Sequence, residues 1–149
     1  MPHSLVRSIF HVVFTTKERR NLIPRSSLEN TWAYIAGIGR KHQITVHAVG
    51  GIQNHVHALI ELPAEMALAD SVRTLKCNSS RWLRESVRLF QWQQGYAAFS
   101  VSPSQIGGVL QYIAHQEHHH ARYSFEQELR SMMKAAGVAN AATEGAWES

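Results

Sequence analysis

The chain holds one cysteine, Cys77, in 149 residues, which excludes an internal disulfide and any zinc site built on cysteine thiolates. It has no apolar run long enough to cross a bilayer, and Met1-Pro-His-Ser-Leu-Val-Arg7 leads into a strand pattern without the layout of a signal peptide. The expectation is a cytoplasmic protein. There is no Walker-type phosphate loop, no internal repeat and no interdomain linker. Acidic residues are outnumbered, 11 against 15 Lys and Arg, giving a net charge of +4 and a pI of 9.6. A basic balance favours polyanionic partners, but its distribution decides more than its total.

What is present is an ordinary globular composition, 44% apolar and 17% charged, in a length that suits one domain. We place that domain at residues 1–136 and expect the Ala/Asn/Glu-rich tail, 137–149, which lacks apolar periodicity, to be disordered. Residues 7–16 (RSIFHVVFTT) are β-branched and aromatic and predict a first strand. Behind Pro24, Leu28, Trp32, Ile35 and Ile38 recur at helical spacing, predicting a helix to about His42. Residues 44–49 predict a second strand, Gly50-Gly51 a turn, and the stretch ending at Leu62 a third strand antiparallel to the second. Pro63 ends it, and a long helix is predicted from about Met66 to Leu89.

On that helix Leu68, Val72, Leu75, Trp82, Leu83 and Leu89 gather on one side, with Arg73, Lys76, Arg81, Arg84 and Arg88 roughly opposite. Such a face is either simply solvated or a surface for phosphates. A turn and short strand follow within 92–102. A helix capped by Ser102 or Ser104 then runs through Tyr112 and Gln116 to His118-His119-His120, and a last helix spans 124–135. The order strand, helix, strand, strand, helix, strand is the split βαβ pattern of an α+β, ferredoxin-like (RRM-like) antiparallel sheet with helices on one face, here with an appended C-terminal tyrosine-bearing helix.

Within Gln53-Asn-His-Val-His57, residues two apart on a strand share a face, so His55 and His57 emerge together while Val56 points away. Taken alone, the pair reads either as two ordinary strand residues or as half of a metal site. Tyr112 and Gln116 lie one turn apart on a predicted helix, so a phenol and an amide oxygen can reach one point; a helix-rim Tyr and Gln would look the same. Of His118, His119 and His120, we expect phosphate contact or plain solvation, although His115 and His119 have the spacing of a second metal pair. Trp92, Tyr96 and Phe99 are either core or stacking surfaces for unpaired bases.

Four blocks in order, Phe10-His-Val-Val-Phe-Thr-Thr16 with Arg19-Arg20, Gln53-Asn-His-Val-His57, Gly95-Tyr-Ala-Ala-Phe-Ser-Val-Ser102 and Tyr112-Ile-Ala-His-Gln-Glu-His-His119, resemble the single-tyrosine HUH transposases of bacterial insertion sequences and their REP-associated relatives. The resemblance implies that His55 and His57 bind Mg²⁺ or Mn²⁺ with Gln116 as third ligand, and that Tyr112 is the nucleophile. It implies cleavage and rejoining of single-stranded DNA at hairpin-bearing element ends through a 5′-phosphotyrosine. It also implies a homodimer in which the tyrosine helix of one subunit can complete the histidine pair of the other; Gly107-Gly108 could loosen that helix. The residue types suit the chemistry: a cation offsets phosphate charge, and a covalent tyrosine link keeps the bond energy for rejoining. The group that takes the proton from Tyr112 is not identifiable. Two other readings are a domesticated, non-catalytic DNA-binding regulator on the same fold, and a phosphodiesterase that uses water in place of Tyr112.

Overall fold

The computed structural model describes residues 4–137. Four strands, β1 (Ser8–Thr15), β2 (Thr45–Ile52), β3 (His55–Leu62) and β4 (Ala97–Ser100), form one antiparallel sheet in the order β2-β3-β1-β4. Helices α1 (Leu28–Lys41) and α2 (Leu68–Leu83) make the two crossovers, which is the expected ferredoxin-like arrangement. Three further helices, α3 (Ile106–Ala114), α4 (Gln116–His120) and α5 (Phe125–Ala136), follow β4. Among the described residues no helix is long and apolar enough to cross a membrane. The predicted tail lies, apart from Gly137, outside the described residues.

Alternation along the central strands divides the interior in two. Val12 and Phe14 of β1 and Val56, Ala58 and Ile60 of β3 face α1 and α2, where they meet Ile35, Ile38, Val72 and Leu75 in the main core, all buried. The intervening residues, Ile9, His11 and Val13 of β1 and His55, His57 and Leu59 of β3, face the other way, beneath the helices that follow β4. The sheet is therefore covered on both sides, with the appended helices forming the second layer.

Three local readings of the sequence are corrected. Gly50 and Gly51 belong to β2 rather than to the turn, and the chain reverses at Gln53-Asn54. Both glycines answer steric needs. Gly51 has φ 146°, a conformation closed to other residues, and a Cβ there would strike the His55 carbonyl oxygen. At Gly50 a Cβ would lie 2.5 Å from the Ile113 carbonyl oxygen, so its absence lets α3 rest directly on β2.

The second correction concerns α2, which stops at Leu83 rather than Leu89, leaving Leu89 exposed. The chain turns there because Phe90 and Trp92 return to the core, stacking edge-on with each other and, through Trp92, with Phe14. Trp92 donates its Nε1–H to Ser79 Oγ at 3.1 Å, so it is a core residue and not a stacking platform. Tyr96 packs partly buried against the same core, and Phe99 against the cluster around Val13. Lys76 likewise is no free member of a basic face: it is half-buried, donates to the carbonyls of Gln93 (2.7 Å) and Gly95 (2.9 Å), and lies over the Phe14 ring. Arg73, Arg81, Arg84 and Arg88 are exposed, with Arg73 paired to Asp70 and Arg84 donating to Ser80 Oγ.

Thirdly, the helix expected to run unbroken from Pro103 to His120 is interrupted. α3 ends at Ala114, His115 leaves the helical region (φ −109°, ψ 28°), and α4 begins at Gln116. Tyr112 and Gln116 thus stand on two helices, joined without a loop.

Candidate active site

On the second face of the sheet a group of polar residues meets beneath α4 and α5, beside the apolar cluster of Val13, Leu129 and Met133, and it is sealed. His55, His57 and Gln116 are 0–1% exposed, and His11 and Glu128 are also buried. Each is delivered by a distinct piece of local structure. β3 aims both histidines at the same side. Gly50 lets Ile113 settle on the sheet, which places Tyr112 and Gln116 over the histidines. The third piece is α5. Its start is set by a capping box in which Ser124 Oγ accepts from the Gln127 N–H and Gln127 Oε1 accepts from the Ser124 N–H. Phe125, Leu129 and Met133 then form its buried stripe, with Leu129 and Met133 against Val13 and Phe125 beside the His55 ring. Arg19 binds the first turn of α5 from outside, paired with Glu126 at 2.5 Å and lying over the Phe125 ring. To do so it adopts φ 56°, next to Glu18 at φ 57°; two consecutive left-handed non-glycine residues are a local strain that the surrounding contacts must hold.

Glu128, on the buried side of α5, is the centre of the cluster. Its Oε1 lies 3.0 Å from His57 Nε2, 3.1 Å from His120 Nε2 and 3.5 Å from His55 Nε2. Its Oε2 accepts from Gln116 Nε2 at 3.1 Å and from the Tyr112 hydroxyl, and His119 Nε2 is 3.4 Å away. Gln116 Oε1 faces His55 Nε2 at 3.1 Å. His11 joins from β1, with Nε2 2.8 Å from His57 Nδ1. Beside the cluster, a cleft of about 500 Å³ opens onto Tyr112 and Glu128, lined also by His119, Tyr123, Gln127 and Met132.

These surroundings set the charge states. Burial, reinforced by the proximity of His57, lowers His11 and His55 to about 3, so both imidazoles are neutral at ordinary pH. Burial also lowers His119. For Glu128 burial pulls upward, but hydrogen bonds to His120, His57 and Tyr112 outweigh it and hold the carboxyl well below the usual range. Burial, then the hydrogen bond to Glu128, raises the Tyr112 phenol well above its ordinary value. An unaided phenolate is therefore disfavoured, and the hydroxyl rests against a carboxylate acceptor.

The structure brings together His55, His57, Tyr112 and Gln116, as the sequence predicts, and does so within one chain. The expected basic face lies elsewhere, on the opposite layer. The sequence reading gives no role to His11 or Glu128, and His119 and His120, expected in solvent or on phosphate, border the cluster instead. One signal for Glu128 was available: it sits among Phe125, Leu129 and Met133 on an amphipathic helix, and a carboxylate on an apolar stripe needs partners.

The family model described as "Transposase IS200 like" matches residues 4–116, which include His55, His57, Tyr112 and Gln116 but stop short of α5. No curated protein matches. Among solved structures, a candidate transposase from Deinococcus radiodurans R1 superposes with a TM-score of 0.64 at 18% identity, covering 78% of this chain and 95% of that one. A REP-associated tyrosine transposase bound to a REP hairpin gives 0.58 at 13% identity, covering 80% and 73%. At these identities the superpositions bear on the fold, which both share. Since the matched stretch takes in most of the chain, from before β1 to the first residue of α4, this protein belongs to the IS200-like transposase family.

Proposed function

We propose that the protein cleaves and rejoins single-stranded DNA at insertion-sequence ends, with Tyr112 as nucleophile. The observation that carries this reading is the convergence of Tyr112, Gln116, His55 and His57 on one point, with the tyrosine hydroxyl at the edge of an open cleft. The Tyr112 oxygen attacks the scissile phosphorus, and the bond from phosphorus to the 3′ oxygen breaks. The protein is left joined to the 5′ phosphate, while the departing fragment takes a proton as its free 3′-OH. Attack of a 3′-OH on the phosphotyrosine reverses the step and restores the phenol, so rejoining needs no nucleotide. Glu128 accepts from the Tyr112 hydroxyl and so orients the attacking oxygen.

The donor set fits a divalent cation, Mg²⁺ or Mn²⁺, held by His55, His57 and Gln116. The Asn54 amide is oriented by donating to the Arg19 carbonyl, so its Oδ1 accepts from His55 Nδ1 at 2.8 Å. The Nε2 of neutral His55 then carries a lone pair, and it faces the Gln116 amide oxygen, two electron-pair donors turned toward each other as ligands are. When bound, the ion would offset charge on the non-bridging phosphate oxygens.

Hairpin-bearing DNA is the substrate class, a reading supported by the neighbour bound to a REP hairpin, and the exposed Arg73, Arg81, Arg84 and Arg88 are candidates for phosphate contact. The site's arrangement supports assembly within one chain. A homodimer with tyrosine helices acting in trans would require α3 to leave its seat on Gly50.

The test is incubation with Mn²⁺ or Mg²⁺ and single-stranded DNA carrying an element end, followed by a denaturing gel. The wild type is expected to form a covalent adduct and Tyr112→Phe none. Cleavage persisting in Tyr112→Phe would point to water as nucleophile, and tight binding without cleavage by the wild type would point to a regulator.

A further inference from the structure

We propose that His120 and Glu128 join His55, His57 and Gln116 in the metal site, giving it three imidazoles and a carboxylate besides the amide oxygen, a set that selects a transition-metal ion such as Mn²⁺ over Mg²⁺. The inference rests on the metal-assisted reading above and extends it to two residues beyond the stretch the family shares.

The hydrogen-bond directions around the cluster carry it. His120 Nδ1 lies 2.9 Å from the Tyr123 carbonyl oxygen, which can only accept, so His120, like His55, commits its Nδ1–H and turns the Nε2 lone pair inward. His57 Nδ1 has His11 Nε2 as its partner. All three rings are therefore held from behind through Nδ1 and present Nε2 to Glu128 Oε1, the arrangement by which outer partners orient metal-bound histidines. Two of those Nε2 lone pairs confront carbonyl-type oxygens with nothing between them. One divalent cation resolves every contact at once.

The spacing is close to that of a bound cation. A cation about 2.1 Å from each ligand would set neighbouring ligands about 3.0 Å apart in an octahedron and about 3.4 Å apart in a tetrahedron, and opposite ones about 4.2 Å apart. The contacts from Glu128 Oε1 to the three nitrogens span 3.0–3.5 Å, while the four donor atoms together lie within 4.8 Å of one another, so binding would draw the rings slightly inward. Six-coordination would leave one position for a phosphate oxygen. Three imidazole nitrogens favour first-row transition metals, whereas Mg²⁺ keeps to oxygen. Glu128 also divides its two oxygens, Oε1 toward the imidazoles and Oε2 toward Tyr112, so one side chain joins the ion to the nucleophile.

The experiment is direct binding of Mn²⁺, Co²⁺ and Mg²⁺ to the full chain freed of metal. Calorimetry reads affinity, and the Co²⁺ visible spectrum reads the ligand set. The expected result is one site with Mn²⁺ and Co²⁺ each bound at least about tenfold tighter than Mg²⁺. Glu128→Gln and His120→Asn, checked for native circular dichroism, should each weaken Mn²⁺ by more than about 100-fold, beyond the roughly 10–100-fold that loss of an outer partner alone costs, and alter the Co²⁺ spectrum. Should Glu128→Gln fail to fold, His120→Asn and the ion preference still decide. Wild-type affinity and an unchanged Co²⁺ spectrum in the variants would overturn this ligand set while leaving the tyrosine reading intact, as would a preference for Mg²⁺. Failure of the tyrosine reading shows separately, in the adduct assay.

Discussion

The two faces of the central strands are built from alternate residues of the same segments, yet they bury opposite chemistries. Toward α1 and α2 the interior is Val12, Phe14, Val56, Ala58 and Ile60 packed on helix aliphatics. Toward α4 and α5 an apolar frame of Val13, Phe125, Leu129 and Met133 surrounds a polar centre in which His11, His55 and His57 pack on Gln116, His120 and Glu128. The first face contributes the burial free energy that holds the domain together, roughly 1.5–3 kcal/mol for each large side chain. The second costs free energy, because each polar group gives up water and recovers it only through exact mutual pairing. A fold needs the first kind of interior; the second has to be explained by something other than stability.

The difference can be broken at its largest effect by Phe14→Ala, which removes a fully buried ring stacked on Trp92. It should cost about 3–5 kcal/mol in urea unfolding. The matching change on the other face is the double variant His57→Leu with Glu128→Leu. Here stability should change by no more than about 1–3 kcal/mol, since exchanging both members of a buried polar pair for apolar groups is close to neutral while Tyr112, Gln116 and His120 lose Glu128 as a partner. DNA-adduct formation should vanish. A loss comparable to Phe14→Ala would mean that the polar face is structural after all.

Gly50→Ala sharpens where the two faces differ in tolerance. A Cβ 2.5 Å from the Ile113 carbonyl must push α3 off the sheet, so about 1–3 kcal/mol should be lost, with a larger fractional drop in adduct yield as Tyr112 shifts. The smallest effect is graded by pH. His11 and His55 stay neutral in the fold down to about 3, whereas the unfolded chain protonates them from about 6.5 downward. Stability in a chelator should therefore be flat above about pH 6.5 and fall below it, by at most about 1.4 kcal/mol per pH unit for each histidine. Glu128, held below the carboxylate range, adds to the same loss below about pH 4.5. In His11→Phe the slope between pH 6 and 4 should be shallower; an unchanged slope would assign it elsewhere.

Much of this was legible along the chain. The order of strands and helices follows from local periodicity, and the shared face of His55 and His57 follows from the two-residue repeat of a strand. The pairing of Tyr112 with Gln116 survives even though the helix between them breaks at His115, because the break keeps the one-turn offset. The misses have a common cause. Leu83 ends α2 because Phe90 and Trp92 are wanted in a core assembled from distant segments, and Lys76 is drawn inward by carbonyls that α2 meets only after folding. Gly50 and Gly51 look like a turn by composition, and only the close approach of Ile113 and the His55 carbonyl explains them within a strand.

The sequence by itself determined which residues could share a face, through the periods of strand and helix, and so determined the sheet, its two crossovers and half of the site. Only the tertiary structure decided that Glu128 would stand among the histidines. Its position on the buried stripe of α5 was written in the helical repeat, but what that stripe would cover depended on a contact across 71 residues between His57 and Glu128. Local periodicity sets the direction of a side chain; only packing sets what it meets.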